Sequence, residues 1–193
     1  MMLLTSSRKP SFKTKILCKK LALFFDAPYM NRGKMSFSEV LEQGNGRILL
    51  VAGDYHGNPG SLSFYDANGK PFLSVYFSET NPDNVPQSEL RYGSHEFSGT
   101  DSSLVFKQLN RHLFENTGRF IPQESLKVSK AAHKAALHVS DSTQPTPIKN
   151  AEKSVENFVR RLNIFDDRLE FMSNDRIFLR LYIKSVKEDA TTV

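Results

Sequence analysis

The sequence predicts an α/β fold made of two halves, each of which contains helices and ends in a β-hairpin. Apolar runs of strand length alternate with segments of helix length along residues 1–80. Helical patterns and a terminal hairpin return after residue 99, although no direct sequence repeat relates the two halves. A content of 39% hydrophobic and 24% charged residues is typical of a globular chain. We expect one domain over 1–193, divided into an N-terminal half 1–85, a connector 80–99 and a C-terminal half 99–193.

The first predicted elements are a strand, MMLLTS, and a helix, SFKTKILCKKLALFF, which Ser11 is expected to cap. At 100° per residue, six helix residues share an apolar arc: Leu17, Cys18, Leu21, Ala22, Phe24 and Phe25. The remaining arc holds charged and apolar side chains: Lys13, Lys15, Lys19, Lys20, Phe12, Ile16 and Leu23. We expect the three apolar residues of this second arc to pack against a neighbouring loop or helix.

A second helix and three strands complete the predicted first half. Ser36 and Glu39 form a capping-box pattern that opens a short helix, SFSEVLEQ. RILLVAG follows as a buried strand, and SLSFYDANGKPFLSVYF is a hairpin whose tight turn is Asn68-Gly69. GDYHGNPGS lies between two strands, and we interpret it as a hairpin loop with positive φ at two glycines: Gly57 and Gly60.

In the second half, the connector is followed by a predicted helix, TDSSLVFKQLNRHLFENTG, opened by Thr100 or Asp101 and ended at Gly118. HKAALHVSD is a predicted strand and STQPTPIKN a predicted loop. AEKSVENFVRRLNIF has apolar residues at helical spacing, which predicts a helix: Val155, Phe158, Val159 and Leu162. RLEFMSNDRIFLRLYIKSV is a hairpin around Asn174-Asp175, and its last strand alternates between two faces.

Catalytic and metal-binding signatures are lacking. NRGKMS is not a phosphate-binding P-loop, because it lacks the earlier glycine and the Ser or Thr after Lys34. The five histidines and one cysteine show no metal-ligand spacing. Asp54 and His56 are close enough in sequence for a polar pair, but no nucleophile accompanies them. We therefore expect no enzyme activity and no cofactor.

The expected compartment follows from the same residues. A single cysteine, Cys18, excludes an intramolecular disulfide, is expected to be an inert core thiol, and fits a reducing cytosol. No run of about eighteen apolar residues predicts a membrane span. The apolar start MMLL is too short for a signal peptide. We expect a cytoplasmic protein without a membrane partner.

Positive charge is concentrated at the start of the chain. Residues 1–35 carry eight Lys or Arg against one acid, whereas residues 36–125 have a net charge of −5 and residues 126–193 of +3. Basic side chains with serine hydroxyls beside them are typical of phosphate contacts. We expect one RNA-binding surface if the first loop and the loop before the second helix lie together, with these members: Arg8, Lys9, Ser11, Lys13, Lys15, Lys19, Lys20, Arg32 and Lys34.

Three motifs resemble the Brix domain in its compact archaeal form. Thr5 to Lys20 is similar to the family's Thr-Ser-Arg-basic-Pro-Ser start and basic helix. NRGK, residues 31–34, and GDYHGNPG, residues 53–60, match two further family elements. These matches cover about the first eighty residues, and their polar members extend the expected RNA-binding set: Asn31, His56 and Asn58.

The resemblance implies a ribosome biogenesis factor that binds ribosomal RNA or pre-rRNA. It also implies two similar α/β halves like the anticodon-binding domains of class II aminoacyl-tRNA synthetases, with mixed sheets and helices packed on them. Ribosomal proteins or other assembly factors are further expected partners, and the acidic middle of the chain is the part that would face a basic protein. Lysine stands at positions 9, 13 and 15, where the family often has Arg, which favours backbone over base readout.

Two alternatives and one departure accompany this interpretation. If the final strand lies at a sheet edge, it could pair with a partner strand, with exposed Phe178 and Tyr182 as the contact, and the chain would be a protein-assembly scaffold. The anticodon-domain analogy alone would make it a tRNA-binding module. Larger relatives carry a Gly-Pro-Arg element before the final strand, where this chain has MSNDRIFLRL, so no contact of that element transfers here.

Overall fold

The computed structural model describes residues 2–81, 85–90, 94–114 and 159–188. Eight strands occur in this part of the chain: β1 (Met2–Ser6), β2 (Ile48–Tyr55), β3 (Asn58–Tyr65), β4 (Pro71–Thr80), β5 (Ser94–Gly99), β6 (Val159–Ile164), β7 (Arg168–Ser173) and β8 (Arg176–Lys187). Three α-helices accompany them: α1 (Phe12–Phe24), α2 (Phe37–Gly44) and α3 (Leu104–Leu109). A 3₁₀ turn spans Gln87–Leu90, and a π-helical turn, Asn110–Phe114, continues α3. The α/β prediction is confirmed.

All eight described strands belong to one mixed sheet, in the order β1-β2-β3-β4-β8-β7-β6-β5. In the first four strands a parallel pair, β1 and β2, is followed by antiparallel pairing to β3 and β4. The last four repeat this scheme, with β5 parallel to β6 and antiparallel pairing on to β7 and β8. Antiparallel pairing of β4 with β8 joins the two sets. The predicted separate sheets are therefore one continuous sheet.

In the first half, α1 and α2 cover opposite faces of the sheet. Successive strand residues point to opposite faces, and in β1 the side chain of Leu4 joins the large core that contains Leu17 and Leu21 of α1. Leu3 instead joins a smaller cluster with Val40 of α2. Because both faces are covered, β1 is buried along its whole length, including the polar residues Thr5 and Ser6.

The predicted start and buried arc of α1 are confirmed. The Ser11 side chain accepts the Thr14 backbone N–H and caps the helix. The predicted core residues are buried, apart from a half-buried Phe25 that still packs on the core. The second arc differs from the prediction, because Phe12 is 78% exposed and Ile16 is 39% exposed. Leu23, the third apolar residue of that arc, does pack against the core.

The turn chemistry of the first half is largely as expected. The Ser36–Glu39 capping box is present at the start of α2. The Asp66 carboxylate accepts the backbone N–H groups of Asn68 and Lys70, which closes the turn at Gly69, where φ is +80°. The His56-Gly57 tip of the β2–β3 hairpin has positive φ at both residues.

The prediction of positive φ at Gly60 is wrong. The requirement for glycine at this position is steric instead. A Cβ at Gly60 would lie 2.4 Å from the Cβ of Tyr55, so only glycine lets the two strands approach beside the hairpin tip.

Several second-half predictions are wrong. α3 begins at Leu104 with Ser103 as its cap, instead of Thr100 or Asp101. Residues 94–99, predicted as connector, form β5, and residues 159–164, predicted as helix, form β6. The predicted helix end at Gly118, the strand HKAALHVSD, the loop STQPTPIKN and the helix start 151–158 lie outside the described residues.

The terminal hairpin is confirmed, but its last strand does not have the edge position on which the scaffold alternative depends. β8 pairs with β7 on one side and with β4 on the other, so it lies in the middle of the sheet. Phe178 is buried, at 1% exposure, and Tyr182 is 40% exposed. β7 pairs with Arg176–Tyr182 and β4 with Arg180–Lys187, so β8 lacks the edge position that the scaffold alternative required.

Candidate nucleic-acid interface

Three loops rich in basic and polar residues emerge at the same edge of the sheet. β1 and β2 are parallel, so the loop after Ser6 and the hairpin tip after Tyr55 follow the same ends of adjacent strands. On the other side of β1, residues 28–30 run parallel to it, with Leu4 N–H to Pro28 O at 2.9 Å and Met30 N–H to Leu4 O at 2.8 Å. Residues 31–34 therefore emerge at the same edge as residues 7–11 and 54–58.

Asp54 fixes the start of α1 to the hairpin tip. Its carboxylate accepts the Ser11 backbone N–H at 2.6 Å and the Ser11 hydroxyl at 3.1 Å. It also accepts the Thr14 hydroxyl. The Lys13 ammonium donates to the Asn58 side-chain oxygen at 2.7 Å, which adds a second link. The first loop and the hairpin tip are thus held together by specific polar contacts.

The expected polar pair of Asp54 and His56 is replaced by other contacts. Asp54 bonds to α1, whereas the His56 ring lies edge-on to Tyr55 with 4.3 Å between ring centroids. His56 and Asn58 are exposed at the tip, and Tyr55 is 64% exposed. The tip therefore presents an aromatic pair and an amide to solvent.

The polar residues of the loop before α2 differ in their exposure and contacts. Arg32 is half-buried, and its Nε donates to the Met35 carbonyl at 3.1 Å while the guanidinium lies 5.9 Å from the Phe37 ring centroid. Asn31 and Lys34 are exposed. Arg32 thus shapes the loop as well as carrying charge.

The positive charge of Arg8 in the first loop acts on Glu39 at the start of α2. The pKa of Glu39 is lowered, first by the hydrogen bonds from Ser36 and then by the nearby positive charge of Arg8. Arg8 and Lys9 are both exposed, and Lys9 has a positive φ of 51°. Arg8 and Glu39 are distant in sequence, and the parallel run of residues 28–30 beside β1 brings their segments to the same edge.

The lysines of α1 are not equivalent. Lys19 is exposed and Lys15 is half-buried. The Lys20 ammonium donates to the Asn81 side-chain oxygen at 2.7 Å, and its pKa is lowered by burial, against the opposing effect of Glu79. The pKa of Glu79 is raised by burial, with Lys20 and Lys13 acting in the other direction. Lys20 is thus already engaged with the protein, whereas Lys19 projects into solvent.

The predicted site residues are therefore brought to one side of the first half, along the sheet edge and the outer arc of α1. Two features of this region are missing from the sequence-based prediction. Asp54 acts as the anchor of α1, and the signal for it is the polar Ser11-x-x-Thr14 start of the helix. Phe12 and Ile16 remain exposed, and their place among lysines in the helical projection is the available signal.

Other site types have little support in the described ranges. No group of three or more His, Cys, Asp or Glu residues could hold a metal ion there. Cys18 is 1% exposed, and burial, followed by the Asp54 charge, raises its pKa to about 12. The expected inert core thiol is thus buried as predicted. No helix within the described residues is long and apolar enough to span a membrane.

Known proteins similar to this chain share one description. No protein-family model matches. A probable Brix domain-containing ribosomal biogenesis protein of Methanococcoides burtonii is 36% identical over 154 residues, which is 80% of this chain and 98% of the relative. A protein of the same description from Methanosarcina barkeri is 53% identical over 104 residues, 54% of this chain and 62% of that relative.

Two solved structures share the fold. Mil, an archaeal Imp4-like protein, aligns over 97% of this chain and 99% of its own, with a TM-score of 0.58 and 20% identity. A probable ribosomal biogenesis protein from Aeropyrum pernix aligns over 94% of both chains, with a TM-score of 0.53 and 16% identity. At these identities the likeness concerns the fold.

Proposed function

Because the chain belongs to the family of Brix domain-containing ribosomal biogenesis proteins, we propose that it binds ribosomal RNA or its precursors during ribosome assembly. The contact is a surface that we call the basic face, with these members: Arg8, Lys9, Ser11, Lys13, Lys15, Lys19, Lys20, Asn31, Arg32, Lys34, His56 and Asn58. The convergence of three loops at one sheet edge carries this proposal.

The composition of the basic face suits phosphate and sugar contacts. Lysine meets phosphate as a point charge, and hydroxyl and amide groups add hydrogen bonds without reading the base. The deep major groove of an RNA helix is closed to side chains, so recognition through this face depends mainly on RNA shape. Two acids of this region, Asp54 and Glu39, keep their charge while they hold helix starts, and the eight Lys and Arg residues of the basic face outnumber them.

The two halves of the domain, 1–85 and 99–193, are similar units within a single Brix domain in this proposal. The same pairing scheme in β1–β4 and in β5–β8 supports it. We also propose that each half resembles the anticodon-binding domain of a class II aminoacyl-tRNA synthetase. The chain acts as a binding factor without catalysis or cofactor, in the cytoplasm, together with ribosomal proteins or other assembly factors.

The test is cross-linking of the tagged protein to RNA in cells by ultraviolet light, followed by sequencing of the attached RNA. Reads concentrated in precursor rRNA, with cross-linked peptides between Arg8 and Lys34, are the expected result. Reads dominated by tRNA would favour the tRNA-binding alternative, and an absence of cross-links above background would contradict RNA binding.

Charge-reversal variants then test the face itself. The triple variant Lys13→Glu, Lys19→Glu and Lys20→Glu should reduce RNA affinity and flatten its salt dependence, by about 0.7–0.9 log units per lost phosphate contact. A matched control reverses three lysines of the second half: Lys107, Lys184 and Lys187. Equal losses in both variants would show that only net charge matters and would contradict the assignment of the face.

A further inference from the structure

Two apolar side chains are exposed on the otherwise cationic side of α1. Phe12 is 78% exposed in the first turn, and Ile16 follows one turn later at 39% exposure. Residues four apart lie one above the other on a helix, so the two form a continuous strip, which we call the apolar ridge. The rest of the helix buries its apolar residues against the sheet, so the apolar ridge has no part in the main core.

Lysines border the apolar ridge on both sides. At 100° per residue, Ile16 lies about 40° from Phe12, Lys15 lies about 60° to one side, and Lys20 about 80° to the other. Lys19 lies between Lys15 and Phe12, and Lys13 extends the second flank. α1 itself contains no acidic residue, and Glu79 of β4 lies near Lys13 and Lys20 on the second flank. A ligand on the apolar ridge therefore meets lysines on both flanks.

We propose that the apolar ridge binds unpaired bases of RNA, with Phe12 stacking on a base and Ile16 packing against its neighbour, while the flanking lysines contact the phosphates. This inference rests on the proposed function and adds a preference for single-stranded segments. Stacking on aromatic side chains combined with a cationic track is the general physics of single-strand binding. A duplex hides its base faces, so it can use the lysines alone.

The hairpin tip extends this surface. Asp54 bonds to Ser11, the residue before Phe12, so the tip lies next to the start of the apolar ridge. The tip carries Tyr55, which is 64% exposed. The Lys13–Asn58 hydrogen bond lies along the same junction. A strand leaving the apolar ridge towards the tip would meet a second exposed ring.

The charge favours RNA over a protein on this surface. A protein partner of the apolar ridge would have to bring acidic groups to both flanks, whereas each nucleotide carries a base and a phosphate together. The lysine–apolar–lysine arrangement therefore matches a polynucleotide strand, and protein docking becomes an alternative outcome of the test.

The experiment measures binding of a short unstructured RNA containing 2-aminopurine, and of the same sequence as a duplex, over a series of salt concentrations. Phe12→Ala should weaken single-strand binding about tenfold and abolish quenching of 2-aminopurine. Duplex affinity and the salt slope should not change, because Phe12 carries no charge. Phe12→Tyr keeps the ring and should bind as the unchanged protein does.

Two controls separate the apolar ridge from the basic face. Lys15→Ala should weaken both RNA forms and flatten the salt slope. Tyr182→Ala removes an exposed ring of the second half and should affect neither form.

Equal effects of Phe12→Ala on both RNA forms, or no effect, would overturn the stacking proposal and leave the apolar ridge as a protein contact. In that case lysine-dependent binding would still support the proposed function. If the unchanged protein bound neither RNA form, both would fail.

Discussion

The guanidinium of Arg160 donates two hydrogen bonds to the carboxylate of Asp26, at 2.8 and 2.5 Å. Arg160 comes from β6 and Asp26 from the residues just after α1, so the pair joins the two halves of the chain. The arginine is fully buried and also donates to the carbonyls of Leu23 and Leu90. His95 of β5 lies beside the pair, with its ring nitrogen 2.5 Å from the Phe24 carbonyl.

This junction should be important for stability. Arg160→Ala leaves buried carbonyls without their donor and opens a cavity, so we expect a loss of about 3–5 kcal/mol in the free energy of unfolding. Asp26→Asn should also cost about 3–5 kcal/mol, because it leaves the fully buried Arg160 charge without its counter-ion, although Asn tolerates the left-handed backbone at this position, where φ is 49°. Urea denaturation of both variants measures these losses. Losses below about 1 kcal/mol in both variants would contradict a structural role for the pair.

The charge of Asp54 and its hydrogen bonds to α1 should have opposite effects on RNA binding. By charge alone, Asp54→Asn should strengthen RNA binding, because a negative charge leaves the vicinity of the lysines. We expect weaker binding, since the carboxylate holds Ser11 and Thr14 and thereby the first loop. A stability loss of about 1–3 kcal/mol should accompany it.

The measurement for Asp54→Asn is RNA affinity at one salt concentration together with the free energy of unfolding. Asp66→Asn, at the remote β3–β4 turn, is the control for loss of a turn carboxylate. Tighter RNA binding by Asp54→Asn would mean that the residue acts only through its charge.

The two neighbouring lysines Lys19 and Lys20 should differ in their effect on RNA binding. Lys19 is exposed, so Lys19→Ala should reduce the salt slope by about 0.7–0.9, the value of one phosphate contact. Lys20 is bonded to Asn81, and its pKa is lowered by burial, so Lys20→Ala should reduce the slope less. Affinity measured at several salt concentrations distinguishes the two. A larger effect of Lys20→Ala would show that Lys20 leaves Asn81 to bind RNA.

Cys18 should make stability depend on alkaline pH. Burial raises the pKa of the folded thiol from 9.0 to about 12, so the folded state keeps a proton that the unfolded state loses. This contribution is fully present below pH 9 and is lost as the pH rises from about 9 to about 12. At about one pH unit above the unfolded value, the loss is about 1 kcal/mol.

Cys18→Ala should remove this part of the pH dependence, while other alkaline groups titrate equally in both proteins. The measurement is the free energy of unfolding of both proteins between neutral pH and about pH 10, one unit above the unfolded value. Iodoacetamide should modify Cys18 only after unfolding, because the thiol is buried and protonated. Parallel pH profiles of the two proteins, or rapid modification of the native state, would contradict this protection.

Elements with strong local signals could be predicted from the sequence. The Ser11 cap, the Ser36–Glu39 capping box and the Asn68-Gly69 turn each arise from contacts within a few residues. Such contacts form in the same way wherever the segment lies in the fold. The clustering of basic residues near the start of the chain is likewise a property of the sequence alone.

β5 and β6 were missed because their inward positions include polar residues. In β6, Arg160, Leu162 and Ile164 face the core in alternation, but the arginine hides that period-two pattern. The apolar residues at 155, 158, 159 and 162 then fit helical spacing better. In β5, His95 occupies an inward position in the same way. Hydrogen-bond partners on α1 and just after it, among them Phe24 and Asp26, satisfy these buried polar groups, and those partners are distant in sequence.

By itself the sequence determined the α/β class, the first-half elements, the terminal hairpin and the identity of the basic residues, because these depend on local patterns. Only the tertiary structure decided that β8 lies in the middle of one continuous sheet, since strand pairing is a long-range choice. It also decided which basic side chains are exposed and which are engaged with the protein. Lys20 is engaged and Lys19 is not, because Asn81 and Glu79 reach α1 from the end of β4 through folding alone.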